Sequence, residues 1–327
     1  MTILVTGSAG HLGEALMRSL RAAGRPALGV DIKPSPFTDR VGSISDRAFV
    51  EACMAGVRAV VHPATLHKPH VATHDNQAFI DTNVSGTLAL LEAAVAAGVE
   101  AFVFTSTTST FGAALTPAPG EPAAWVTEAV VPVPKNIYGV TKVAAESLCE
   151  LFFRKHRLPV IVLRTSRFFP EADDDAAVRG RYETVNVQAN EMLYRRVDVE
   201  DVVSAHLVAL EKASAIGFGR YIISATTPFT PDDVAALRQN AVDVVRRLFP
   251  HCDEIFAARG WRLFPQIDRV YVNALARNEL GWRPKYDFGH VLDCARAGVD
   301  FRSPLARAIG SKGYHDRVFE EGPYPVG

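Results

Sequence analysis

A β-rich run, Ile3–Thr6, passes straight into Gly7-Ser8-Ala9-Gly10-His11-Leu12-Gly13 and then into a helical pattern over Leu12–Ala23. Glycines at this spacing permit a tight turn, let backbone approach a pyrophosphate and allow a helix to pack closely on a strand. The start of the helix adds unpaired N–H groups and a partial positive charge, which suit phosphate. A glycine triplet alone is a weak signal. Here it follows a strand, opens a helix, and precedes a second strand, Ala27–Asp31, that ends in an acid at the expected distance. A carboxylate at Asp31 accepts hydrogen bonds from free ribose hydroxyls and repels a 2′-phosphate, so NAD is expected over NADP. Lys33 works against that preference, and a turn-forming role for Asp31 at the strand end is the competing reading.

The same alternation continues. Strands are expected at Thr2–Thr6, Ala27–Asp31, Ala59–His62, Ala101–Ser106 and Val160–Arg164, with helices at Leu12–Ala23, Asp46–Ala55, Phe79–Ala97 and Tyr138–His156 between them. Strands apolar throughout and separated by helices imply a parallel sheet covered on both faces. The expected fold is therefore α/β, a Rossmann-type doubly wound parallel sheet with a smaller C-terminal substrate-binding lobe. We expect residues 1–169 to form the NAD-binding domain, with a return segment near 197–225. Residues 170–327 then supply mainly the substrate lobe and tail. Past Arg164 a polar stretch, Glu171–Glu183, reads as an exposed loop. A helix is expected at Val199–Glu211, a strand at Gly219–Ile223, and helices near Pro231–Ala236 and Ala241–Leu248. From Tyr314 onward the tail is Pro/Gly-rich and reads as mobile or draped over a neighbour.

Composition narrows the class. The 327 residues are 48% hydrophobic and carry a formal charge of −1, which excludes a disordered chain and argues against a nucleic-acid binder. The longest apolar stretch, Val84 to Phe104, is broken by Glu92 and Glu100, so no membrane span is expected. Cys53, Cys149, Cys252 and Cys294 lie far apart, and the start of the chain has no basic segment or cleavage site. Reduced thiols in a cytoplasmic protein are the simplest reading.

Tyr138-Gly139-Val140-Thr141-Lys142 opens a helix. Residues four apart share a helical face, so the phenol and the ammonium project into one space. A nearby ammonium favours the phenolate and lowers the tyrosine pKa toward neutrality. Tyr138 is then a candidate general acid or base for a substrate hydroxyl or carbonyl. The preceding strand ends in a hydroxyl cluster, Thr105-Ser106-Thr107-Thr108-Ser109-Thr110.

Together with Phe111-Gly112, these motifs resemble the extended short-chain dehydrogenase/reductase superfamily, the NAD-dependent epimerase/dehydratase group. The resemblance runs on through Asn83-Val84-Ser85-Gly86-Thr87, Val197-Asp198-Val199-Glu200-Asp201 and Glu279-Leu280-Gly281-Trp282-Arg283-Pro284. It implies that Thr107 bonds the reacting oxygen, with Thr108 the nearest competitor. It implies that Tyr138 is the acid/base, and that Lys142 lowers its pKa and holds the nicotinamide ribose. Asn83 matches a helix asparagine near the active site, often part of a proton relay. Cofactor contacts are expected at Gly7, Gly10, His11, Leu12, Gly13, Asp31, His62 and Ala64. Gly42-Ser43-Ile44 replaces the family's usual Gly-Asp-Ile/Leu, so Ser43 or Ile44 supplies the adenine contact. The resemblance also implies a homodimer paired through Phe79–Ala97 and Tyr138–His156, whose Leu88, Leu91, Val95, Leu148, Leu151 and Phe152 exceed one sheet-facing stripe.

His62, His67, His70 and His74 invite a metal reading, but no cysteine or carboxylate is tied to them by motif, and no metal is expected. A substrate contact from His67, Lys68 or His70 is expected instead, with a plain exposed loop histidine the competing reading for each. A sugar 4,6-dehydratase of this superfamily would carry Asp-Glu after the catalytic threonine, where this chain has Thr108-Ser109. A nucleotide-sugar epimerase would carry a longer segment before Val197 than Pro170 to Tyr194, which has room for a loop and one short helix. Arg164-Thr165-Ser166-Arg167-Phe168-Phe169-Pro170-Glu171 is locally similar to uronate dehydrogenases, which act on small sugar acids. The expected activity is NAD-dependent hydride transfer at a hydroxyl or carbonyl carbon of a small polar substrate. Sugar epimerisation is the alternative, and a non-catalytic NAD sensor a further one. Arg167 and Arg179 are candidate holders of an anionic substrate group, with Arg195 or Arg196 behind them; Arg167 pinning the acidic loop is the rival reading.

Overall fold

The computed structural model describes residues 2–313, 315 and 319. Seven strands form one parallel sheet: β1 (Thr2–Thr6), β2 (Ala27–Asp31), β3 (Arg40–Val41), β4 (Val57–His62), β5 (Ala101–Thr107), β7 (Val160–Thr165) and β8 (Phe218–Ile223). Their spatial order is β3-β2-β1-β4-β5-β7-β8. The chain first winds outward from β1 to β3, then crosses back to β4 on β1's other side. That reversal places a crevice beyond the carboxyl ends of β1 and β4. Two further strands, β6 (Ala124–Val126) and β9 (Arg269–Tyr271), pair in parallel away from the main sheet.

Side chains on the two faces explain the layers. Ile3, Val5, Val61, Val103 and Ile161 pack beneath helices His11–Ala22 and Val199–Ile216, while Leu4, Val60, Phe102 and Val162 pack beneath Gly86–Ala96 and Ile137–His156. Strands buried on both sides read as unbroken apolar runs for this reason. A third core, built on Leu237, Val245, Phe256 and Phe288, belongs to the C-terminal lobe.

Helix boundaries follow capping chemistry. Asn136 accepts from Gly139 N at 3.0 Å to start Ile137–His156, and Arg157 ends it in a left-handed conformation, φ 57°. The expected helix over Phe79–Ala97 is interrupted: Ile80–Ser85 is a π-helical stretch between Asn76–Phe79 and Gly86–Ala96. The pair expected near Pro231–Ala236 and Ala241–Leu248 joins across a kink at Asn240 into Val234–Leu248.

The stretch read as an exposed loop, Glu171–Glu183, differs from expectation. Ala176–Arg181 is helical, and Asp173 is buried because Arg167 and Arg195 both pair with it. A second helix, Thr184–Glu191, follows, so the segment before Val197 holds two short helices where one was expected. The Pro/Gly-rich tail from Tyr314 lies outside the described residues, apart from His315 and Phe319. Among the described residues no helix is long and apolar enough to cross a membrane, and all four cysteines are free thiols.

Candidate active site

A cleft of about 590 Å³ runs along the carboxyl edge of the sheet, from Asp31 and Ser43 past the glycine turn to Tyr138 and Tyr271. Gly7 takes φ +64°, and a Cβ there would come within 2.9 Å of the Ala64 Cα. A Cβ on Gly13 would stand 1.9 Å from the Gly7 carbonyl oxygen, so only glycine lets the helix approach the strand. Gly10 is the N-cap and brings no side chain to the amides of His11, Leu12 and Gly13. Those donors, unsatisfied inside a helix, face the cleft that all three residues line. Both ring nitrogens of buried His11 lack a hydrogen-bond partner among the described residues. The turn therefore fits a pyrophosphate.

Asp31 closes β2 and lines the same cleft. One carboxylate oxygen accepts from Ala9 N at 3.0 Å and the other from Lys33 N at 2.8 Å, leaving further lone pairs for ribose hydroxyls. Ser43 and Ile44 also line this end.

His62 lies elsewhere than expected, and Asn83, although beside the cleft wall as expected, has its side chain engaged differently. His62 is fully buried, one layer behind the cleft, bonded to Thr6 Oγ1 at 2.8 Å and Thr87 Oγ1 at 3.0 Å. Thr87 donates onward to the Asn83 carbonyl, so His62 is neutral with its proton on Nε2. Burial holds its pKa well below 6.5, and Lys142 adds to that. Its influence on the cleft is indirect, because Thr6 Oγ1 accepts from the N–H of Ala64, which lines the wall. Asn83 clamps two elements: its Oδ1 accepts from Leu66 N and Thr65 Oγ1, and its Nδ2 donates to Leu66 O and Thr141 Oγ1. With all four positions used, its side chain has none left for a proton relay; Thr82 lines the cleft instead.

Thr107, Thr108 and Tyr138 stand together at the other end. Thr107 ends β5, and its oxygen accepts from Ser109 N at 3.1 Å to start a 3₁₀ turn, Thr108–Phe111. Burial pushes the Tyr138 phenol up to about 12, and a hydrogen bond from Thr107 pulls the other way. Lys142 is 1% exposed and donates to the Thr105 carbonyl at 2.7 Å, over the Phe104 ring. Burial brings Lys142 down to about 7, with Glu146 opposing. The expected lowering of Tyr138 by Lys142 is thus not found. Burial disfavours both charged forms, and the ammonium is directed at a carbonyl rather than at the phenol.

Arg167 lines the cleft, but its guanidinium donates to Asp173 at 3.0 Å and to the Ala172 carbonyl at 2.9 Å. Arg179 donates to the carbonyls of Asp173 and Asp174 and is absent from the cleft wall, because its helix turns it back on the acidic loop. Arg196 pairs with Glu191. His67 lines the cleft, its ring stacked on Phe169 at 5.5 Å and edge-on to His70. Sequence reasoning missed Arg269, Tyr271 and Lys312, all in the cleft wall. Their positions depend on returns of the chain from far away, and no local motif marks them. The Nε groups of Arg195 and Arg269 are buried without a partner among the described residues.

Residues 3–223 match the sequence profile of the NAD dependent epimerase/dehydratase family. The chain is 28% identical over 332 residues to the UDP-glucose 4-epimerase of Rhizobium meliloti (strain 1021), covering 90% of this chain and 95% of that protein. It is 30% identical over 177 residues to the NAD-dependent glucose-6-phosphate dehydrogenase of Haloferax volcanii, covering 50% of this chain and 66% of that one. A crystal structure of a short-chain dehydrogenase/reductase superfamily protein from Agrobacterium tumefaciens with bound NAD superposes with a TM-score of 0.65. The two are 27% identical, covering 94% of this chain and 99% of the other.

Proposed function

The chain belongs to the NAD dependent epimerase/dehydratase family, and we propose that it is a dehydrogenase/reductase acting on a small polar hydroxyl compound such as a sugar or sugar acid. It is an NAD-dependent enzyme of the extended short-chain dehydrogenase/reductase type. We assign residues 1–169 and the return near 197–225 to cofactor binding, and most of the remainder to the substrate.

The carrying observation is that Thr107, at the end of β5, and Tyr138 line the same cleft as the glycine turn. The glycine turn and the amides of His11, Leu12 and Gly13 would hold the pyrophosphate, and Asp31 the adenosine ribose. NAD supplies the hydride acceptor. Thr107 hydrogen-bonds the substrate oxygen, and Tyr138 takes its hydroxyl proton in oxidation or returns it in reduction. The phenol's high pKa in this geometry makes a nearby positive charge necessary before it can act as a base. Lys142 stands one helical turn away, and to supply that charge it must leave Thr105 or act through it. Asn83 positions Thr65 and Leu66 in the cleft wall.

The compact segment between β7 and Val199 supports a substrate smaller than a nucleotide sugar. Epimerisation remains the second reading because the likeness to the Rhizobium meliloti enzyme extends over nearly the full chain. A panel of sugars, sugar acids and aromatic alcohols with NAD, followed by NADH absorbance, tests the first reading. Interconversion of UDP-glucose and UDP-galactose without net NADH would replace it with the second.

A further inference from the structure

The segment after the last described helix borders the cleft. Helix Pro304–Ile309 ends at Gly310, φ +64°, and the chain turns there toward the cleft, where Lys312 and Gly313 form part of the wall. It is fastened at three places that lie far apart in sequence. Ser311 Oγ donates to Glu171 at 2.7 Å, in the loop after β7. Lys312 pairs with Glu14, in the first turn of the helix that follows the glycine turn. His315 Nε2 donates to the Pro69 carbonyl at 2.9 Å, in the loop after β4.

Glu14 explains why the middle fastening matters. A carboxylate in the first turn of a helix opposes any anion bound at that helix's amino end. Glu14 is 5% exposed, so water screens it poorly. Burial pushes its pKa up, but Lys312 and Arg18 more than offset this and hold it below the usual range. Arg18 is held by the same helix, whereas Lys312 arrives only when the segment is docked.

We propose that residues 310–313, with His315, form a latch for the dinucleotide, with Lys312 neutralising Glu14 at the pyrophosphate site. Docking of the segment and binding of NAD then favour one another, and NAD leaves when the latch lifts. This inference goes beyond the family's use of NAD, since it assigns a cofactor role to residues far outside the matched 3–223.

Calorimetric titration of NAD, ADP-ribose and adenosine into the full chain, Lys312→Met and a chain ended after Gly310 tests the latch. Binding of NAD by the full chain checks the cofactor assignment separately. Both variants should bind NAD and ADP-ribose about tenfold more weakly, with adenosine unchanged because it lacks the pyrophosphate. NADH release, followed by stopped flow, should quicken by a similar factor. Adding Glu14→Gln to Lys312→Met should restore most of the affinity, and Lys312→Arg should keep it. Unchanged NAD affinity in Lys312→Met, or equal losses for NAD and adenosine, overturns the proposal. If the shortened chain fails to fold, the point variants decide the matter alone.

Discussion

Lys142 donates to the carbonyl of Thr105 across 2.7 Å, so the lysine of the Tyr-x-x-x-Lys pair is held by the strand that carries Thr107. Behind it, Glu146 and Arg164 form a buried two-pronged ion pair. Strand β5, helix Ile137–His156 and strand β7 are thereby tied together at the level where the phenol sits.

Tyr138→Phe should lower kcat by roughly 10²–10⁴-fold while leaving NAD affinity within about twofold. On the proposed reading the phenol carries the proton, whereas the phosphates would rest on the glycine turn. Activity within about tenfold of wild type would place the acid/base elsewhere.

On the proposed reading cofactor choice turns on Asp31, whose oxygens are each anchored by a backbone N–H. Wild type should bind NAD more tightly than NADP, and Asp31→Ala should narrow the gap by about 1–3 kcal/mol. Parallel titrations with both cofactors check this; tighter NADP binding by the wild type would refute it.

Most of the sheet was legible in the sequence because strands buried on both faces show unbroken apolar runs, and each is followed by a helix of different period. The cleft positions of the glycine turn, Asp31, Thr107 and Tyr138 were legible for a related reason: turns at strand ends and helix starts leave local motifs. Short strands such as Arg40–Val41 and Arg269–Tyr271 leave no such trace, since two or three residues have no period. His62 and Asn83 were drawn toward the cofactor or the chemistry by motif position alone. Only the spatial network shows that Thr6 and Thr87 enclose the histidine, and that Leu66 and Thr141 use up the asparagine.

Acid should weaken the fold through buried neutral histidines. Burial lowers His206 to about 4, with its bond to the Val202 carbonyl opposing, and Thr105 Oγ1 lies 2.8 Å from its other nitrogen. Below an unfolded pKa of about 6.5 the unfolded chain binds the proton and the folded chain does not. Stability is therefore full above that pH and falls as the pH drops toward 4, by about 3 kcal/mol for His206 alone. Urea midpoints between about pH 7.5 and about pH 4.5 should show this slope, and His206→Gln should flatten it. An unchanged slope in the variant would remove His206 from the account.

The chain should be a homodimer paired through its two apolar helices. Leu91 and Phe152 are covered within the chain, but Val140 is 49% exposed and Leu151 38%, three helical turns apart on one face of Ile137–His156. Light scattering should give twice the 35.5 kDa chain mass, and Val140→Glu with Leu151→Glu should halve it. A monomeric wild type would refute the pairing.

Two arginines in the cleft should respond to substitution in opposite ways. Arg167 spends its donors on Asp173 and the Ala172 carbonyl, which ties the acidic loop to the end of β7. Arg167→Met leaves Asp173 buried beside Arg195 alone, and should cost about 1–3 kcal/mol of stability. Its kinetics well below the melting temperature should stay near normal. Arg269 pairs with the half-exposed Asp268, but its buried Nε has no partner among the described residues, and it shares the cleft wall with Tyr271 and Arg195. A partly buried guanidinium with a donor in hand suits a carboxylate or phosphate on the substrate. Arg269→Met should therefore reduce kcat/KM by roughly 2–4 kcal/mol of transition-state binding, with NAD affinity and Tm little changed. If instead Arg167→Met raises KM at unchanged Tm while Arg269→Met is silent, the loop arginine holds the substrate and Arg269 serves only its own strand.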